Sequence, residues 1–248
     1  MDFKINNPAH IFALLLLLGS FLLIFAIPIL TFFILIDSPL LMEDLVISEV
    51  VALGSQLIVI AIFILVPIAW YYLVNNLKLK GIFKRIKLVN ENIDKAFLWG
   101  LLSAIIIFLF IFVIEFALIE IGVEIQDLSN IPDLQSLFSW PVMFFLVAFQ
   151  PIGEEIFFRG FLFEKIEGYG GAIIAIFITA FLFGIAHMSY GKIYPVLMPI
   201  LIGIILGFVV AKTKNLYSAI IAHIVFNVTS LALAYLGQNL LEGFALSL

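Results

Sequence analysis

Cysteine is absent from the 248-residue chain, which excludes disulfides, thiolate metal sites and a cysteine nucleophile together. Charge is scarce as well: 12% of residues are Asp, Glu, Lys or Arg, against about 25% in a typical soluble domain. The 12 Lys and Arg stand against 17 Asp and Glu, a net charge of −5, so the basic footprint that nucleic-acid binding requires is missing. Histidine occurs only three times, at His10, His187 and His223. What remains is apolar: 65% of residues are hydrophobic and the mean hydropathy is +1.27. So little polar surface cannot cover a water-soluble globule of this length. The composition is that of an integral membrane protein.

A membrane-spanning helix needs about 20 mostly apolar residues. Seven runs qualify: Ile11–Ile36, Ile47–Val74, Ala96–Glu120, Ser139–Lys165, Gly170–Met188, Ile193–Ala211 and Asn215–Leu236. They are too long, and too continuously apolar, for the short alternating strands of a β-barrel. The first is also too long for the apolar core of a signal peptide, and no basic cluster or cleavage-like tail frames it. The expected fold is therefore all-α, a polytopic transmembrane bundle of about seven helices. Residues 1–95 supply N-terminal helices and a basic loop, and residues 96–248 the core, within one membrane domain.

Loop charges orient the bundle. Asn75–Lys95 holds Lys78, Lys80, Lys84, Arg85, Lys87 and Lys95, half of the chain's cations, and the positive-inside rule makes it cytoplasmic. The first loop carries Asp37, Glu43, Asp44 and Glu49 without a cation, and Ile121–Phe138 carries Glu124, Asp127 and Asp133 likewise, so both read as external. Lys165, Lys212 and Lys214 fall on the inner side and Lys192 alone on the outer. The expected orientation is N-terminus in, C-terminus out. Leu77, Leu79, Ile82, Phe83, Ile86 and Leu88 alternate with the lysines of the basic loop, the pattern of a segment lying against anionic lipid or of a plain topogenic loop.

Ionisable residues within spans are costly and usually mark function. Glu115 and Glu120 lie near the outer end of the third run, where interfacial exposure accounts for them. The fourth run differs, because Gln150-Pro-Ile-Gly-Glu154-Glu155-Ile-Phe-Phe-Arg159 sets two carboxylates and a guanidinium in apolar surroundings. Pro151 and Gly153 loosen the helix just before them, as happens where a helix lines a cavity. Glu155 and Arg159 are four apart in the favourable order, which predicts a charge-assisted pair, single or bidentate. Glu154 points roughly 100° away and lacks that partner, so it is the carboxylate free to face a cavity as a general base. A structural ion network is the competing reading of these three residues.

His187 follows Glu154 by 33 residues, with the midpoint at Gly170/Gly171. Two antiparallel helices joined there rise equally per residue, which sets Glu154 and His187 opposite one another at equal depth. His223 and Asn227, four apart, share a face of the last run and form either two donors for an oxyanion or a polar seam between helices.

Three motifs in order, Glu154-Glu155-x-x-x-Arg159, Phe183-x-x-x-His187 and His223-x-x-x-Asn227, resemble the CAAX prenyl endopeptidases of the Ras-converting type and their prokaryotic relatives, the CPBP or Abi group. The resemblance covers residues 150–230. It implies an intramembrane peptidase with an intramembrane catalytic cavity. Glu154 is then the base that activates water, His187 orients and polarises that water, and His223 with Asn227 stabilises the oxyanion. Glu155 and Arg159 hold the shape of the site, with Phe183 in support. The implied substrate is a prenylated C-terminal peptide or protein whose lipid lies between helices while the peptide approaches from the cytosol. The implied location is the cell membrane of a prokaryote or the endoplasmic reticulum of a eukaryote. Catalysis without a cofactor is the expectation. The alternative is Zn²⁺ on Glu154, His187 and His223, acting on unlipidated peptides, although the HExxH helix of zincins is absent.

Two readings outside peptidases remain open at this stage. In one, Glu154, Arg159 and His187 form the ion path of a transporter, a class in which internal repeats are common and none is visible here. In the other, the chain is a non-enzymatic scaffold or immunity factor. There is no Gly-x-Ser-Gly motif, no aspartate pair within the spans, and no phosphate-cradling glycine loop.

Overall fold

The computed structural model of the protein describes residues 3–37, 48–123 and 131–245. Its helices are α1 (Pro8–Phe21), α2 (Ile27–Asp37), α3 (Glu49–Leu73), α4 (Leu79–Arg85), α5 (Ile93–Glu120), α6 (Ile131–Gln135), α7 (Trp140–Glu155), α8 (Phe163–Ile185), α9 (Tyr194–Thr213) and α10 (Tyr217–Ala245). Two stretches of wider, π-helical turns, Leu22–Ala26 and Ile156–Leu162, join α1 to α2 and α7 to α8 without a break. No strand occurs among the described residues. The protein is an all-α, multi-pass membrane bundle whose flanks present large apolar side chains such as Phe12, Leu109 and Ile173, as lipid contact requires.

Six segments are long and apolar enough to cross a membrane, one fewer than the seven runs of the sequence. The difference lies in Trp140–Ile185, 46 residues that merge the fourth and fifth runs. At about 1.5 Å per residue this segment is more than twice the thickness of a hydrocarbon core. It folds back at Gly171, whose φ of 79° and ψ of 174° suit a residue without a Cβ. Beyond the fold, Phe183 returns to Phe158 with ring centroids 5.1 Å apart, and the Arg159 guanidinium sits 4.4 Å from the Phe183 ring. The two arms are thus antiparallel, with the turn where the counting places it.

The returning arm packs tightly on α9 because Gly184 has no side chain. A Cβ there would stand 2.7 Å from the Val196 carbonyl oxygen and collide with Ile200. Gly184→Ala is therefore expected to cost on the order of 1–3 kcal/mol through overpacking. In a chain of this size that lowers the melting temperature by roughly 2–10 °C, read by thermal unfolding of the purified protein.

The bundle has two chemically distinct ends. At one, the basic segment folds onto the helices instead of lying free: Ile82 and Ile86 are fully buried, while Lys78, Lys80 and Lys84 remain exposed. Glu164 accepts from the Tyr71 hydroxyl at 2.9 Å and from Arg85 at 2.7 Å. Glu167 pairs with Lys87 at 2.8 Å and with Lys214 at 3.1 Å. At the opposite end Asp133 pairs with Lys192 at 2.7 Å, Glu49 accepts from the Ser139 backbone N–H, and Tyr194 donates to Glu115. Glu43 and Asp44 of the first acidic loop, and Glu124 and Asp127 of the second, lie outside the described residues.

Candidate active site

The carboxylate-bearing tract is held by close packing of α7 against α3. Gly153 permits it, since a Cβ at that position would stand 3.2 Å from Phe63 and 3.3 Å from the Ile60 carbonyl oxygen. Pro151 was expected to loosen the helix before the glutamates, yet α7 runs through it unbroken and widens only after Glu155. The wider turns bring Phe157, Phe158, Arg159 and Phe161 all into the buried interior, which a regular helical turn would spread around the axis.

Glu154 is buried, with 4% of its surface exposed, but it is not unpartnered as the sequence suggested. The Gln150 side-chain amide, one turn earlier, donates to its Oε1 at 2.8 Å, and His223 Nε2 stands 3.8 Å from its Oε2. Glu155 and Arg159 are both fully buried and paired at 2.8 Å. The contact is single, not bidentate: Glu155 Oε1 takes both Arg159 Nη1 and His223 Nδ1, the latter at 2.9 Å, and Oε2 has no hydrogen-bond partner among the described residues. Arg159 Nε and Nη2 find no hydrogen-bond partner among the described residues, and the guanidinium is held over the Phe183 ring instead. His187 Nδ1 lies 2.7 Å from the Phe183 carbonyl oxygen, and the two rings touch at 4.7 Å between centroids.

Glu154, Phe183, His187, His223 and Asn227 all line one cavity of about 520 Å³. Gln150 lines it too; its position one turn before Glu154 was visible in the sequence, but an amide carries no charge to draw notice. Glu155 and Arg159 lie outside the wall, behind His223. The rest of the lining is mainly apolar, including Met143, Leu146, Met198 and Ile202. His10, the third histidine, is elsewhere, accepting the Lys4 backbone N–H near the N-terminus.

The hydrogen bonds fix what each ring can do. A carbonyl oxygen only accepts, so His187 carries its proton on Nδ1, and the neutral ring offers an acceptor at Nε2. An ionised Glu155 likewise keeps a proton on His223 Nδ1. A neutral His223 can then only accept at Nε2, whereas its imidazolium, held by Glu155, donates there. Of the two candidate donors on α10, Asn227 therefore donates in any state, and with Glu155 ionised His223 Nε2 donates only from the imidazolium. Among the described residues no group of three or more His, Asp or Glu side chains is arranged to hold a metal ion.

Residues 136–229 match a family model described as Type II CAAX prenyl endopeptidase Rce1-like. The matched stretch spans 94 of the 248 residues and carries all three motifs, which bears out the resemblance read from them. Comparison with curated proteins and with solved structures gives no match.

Proposed function

We propose that the protein is an intramembrane endopeptidase that hydrolyses a peptide bond near the C-terminus of a prenylated CAAX-type peptide or protein, using water activated by Glu154. The observation that carries this reading is the gathering of Glu154, His187, His223 and Asn227 on one cavity wall from α7, the end of α8 and α10. A CAAX-type protease activity is also what the match over residues 136–229 supports.

In this mechanism a water molecule gives one hydrogen bond to the Glu154 carboxylate and the other to His187 Nε2, leaving a lone pair for attack. Glu154 takes the proton as the new C–O bond forms. The carbonyl electrons move onto oxygen, where Asn227 and an imidazolium at His223 stabilise them. Glu154 then gives its proton to the leaving amine as the C–N bond breaks and the carbonyl re-forms. Gln150 fixes the carboxylate, and Glu155 keeps the His223 ring in place, as the buried carboxylate of a Ser-His-Asp triad does for its histidine. The apolar cavity lining suits a lipid chain or an apolar residue beside the scissile bond.

Catalysis is proposed to be independent of metal. Farnesylated and unmodified versions of one peptide, incubated with the enzyme and with enzyme freed of metal by strong chelators, test both parts when the products are read by mass spectrometry. Cleavage of the farnesylated peptide, unchanged by chelation, is the expected result. Loss of cleavage on chelation, restored by Zn²⁺, assigns the zinc alternative instead, and cleavage of the unmodified peptide alone removes the prenyl requirement.

A further inference from the structure

Among the described residues the cavity reaches one end of the bundle, and the charge pattern identifies which side of the membrane that end faces. From Glu154 the wall runs to Glu115, Ile131, Leu134 and Tyr194, at the end that carries the Asp133–Lys192 pair. In the other direction the interior is closed. Phe157, Phe158 and Phe161 are fully buried below the site, and Tyr71, Ile82 and Leu216 complete the packing. The basic segment contributes this seal directly, since the Leu216 N–H donates to the Lys87 carbonyl at 2.8 Å, and the Asn215 side chain bonds the Val89 and Glu91 carbonyls.

Cations collect at the sealed end. Six of the twelve lie within residues 75–95. Lys165 and Lys214 pair there with Glu164 and Glu167, Lys212 lies over Trp99, and Lys4 follows Phe3, which stacks on Trp70 near the end of α3. Ten cations are thus at the sealed end, Arg159 is buried at the site, and Lys192 alone marks the open end. An asymmetry of ten to one, concentrated in short connections, makes the sealed end cytoplasmic.

We propose that the active-site cavity opens to the non-cytoplasmic face, and that its substrate is a peptide whose scissile bond lies on that side, held in the outer leaflet by an apolar anchor. This rests on the peptidase reading and reverses the cytosolic approach that the resemblance implies. The anchor has a route: Phe112 and Leu233 belong to the cavity lining and are exposed on the bundle flank, so an apolar chain reaches the cavity from lipid without crossing water. A lipid chain and an apolar helix share this chemistry as anchors. Either substrate must have been exported, so a translocation step precedes cleavage.

The absence of cysteine makes the test clean. Single-cysteine variants Ser230→Cys on the cavity wall, Ser136→Cys at the open end and Lys80→Cys at the sealed end are treated, in right-side-out vesicles, with a maleimide that cannot cross membranes. Ser230→Cys and Ser136→Cys are expected to label at once, and Lys80→Cys only after permeabilisation. The reverse pattern, or a Ser230→Cys that labels only after permeabilisation, overturns the proposal. Addition of a farnesylated peptide, or of one bearing an apolar helical anchor, to the outside is expected to slow Ser230→Cys labelling at least several-fold, and whichever protects identifies the anchor. Protection by neither overturns the substrate assignment. Labelling needs no turnover, so external labelling of a protein that cuts no peptide defeats the peptidase reading and leaves the orientation standing.

Discussion

Glu154→Gln is expected to reduce peptide cleavage by about 10³-fold or more while leaving the melting temperature within about 2 °C of the parent. A positioned general base contributes roughly 10²–10⁴-fold, and here the same carboxylate also returns the proton to the leaving amine. The substitution keeps the volume of the side chain, so α7 and its packing against α3 stay as they are. Gln150 already gives one hydrogen bond to position 154, and the new amide oxygen accepts it in place of the carboxylate. The side chain that replaces the base holds water but cannot take its proton. Single-turnover kinetics on the farnesylated peptide, with thermal unfolding run in parallel, checks both halves. Turnover within tenfold of the parent removes Glu154 from the role of base, and a large fall in melting temperature turns the loss of activity into a folding effect.

The placement of Glu154 shows which parts of the site are written in the sequence. Its level relative to His187 follows from counting, because every helical residue rises by the same amount and the turn at Gly171 falls at the midpoint between them. The Glu155–Arg159 pair follows from spacing within one helix, and the span positions from runs of apolar residues. Contacts between distant segments are not encoded this way. His223 comes only six residues after the start of α10, and counting alone does not level it with Glu155, 68 residues earlier. Packing of α10 against α7 does so. That packing also decides the second histidine's role, since the Nδ1 contact to Glu155 sets which ring nitrogen faces Glu154. The amphipathic pattern of residues 75–95 was legible, but not that its apolar side closes the bundle. Ile82 reads equally well against lipid or within the buried core, and only the folded neighbours distinguish the two. Of the second acidic loop, Asp133 stands at the end opposite the basic segment, paired with Lys192, the outlying cation of the charge pattern.

The second large effect is on stability. Glu155→Gln and Arg159→Met are each expected to destabilise the protein by about 3–5 kcal/mol, since each leaves its partner as a buried charge without compensation. At roughly 2–4 °C per kcal/mol for a chain of this size, the melting temperature falls by on the order of 10 °C in either variant. The double variant is expected to lose far less than the sum, because it leaves no orphaned charge; the coupling energy in that cycle measures the pair itself. Arg159 is surrounded in a way that makes the single loss large: it has one hydrogen bond, the face of Phe183, and Gly203, where a Cβ would stand 2.9 Å from Nη2. Among the described residues no second hydrogen bond holds the guanidinium. The two single variants separate in catalysis. In the proposed mechanism the Glu155 carboxylate supports an imidazolium at His223, so the residual activity of Glu155→Gln is expected to fall further than that of Arg159→Met when both are assayed well below their melting temperatures. Equal activities would mean that Glu155 acts only through the fold, and additive stability losses would mean that the two charges do not depend on one another. With equal activities and strong coupling, the pair is a structural strut behind the cavity wall, and the chemistry falls to Glu154, His187 and Asn227.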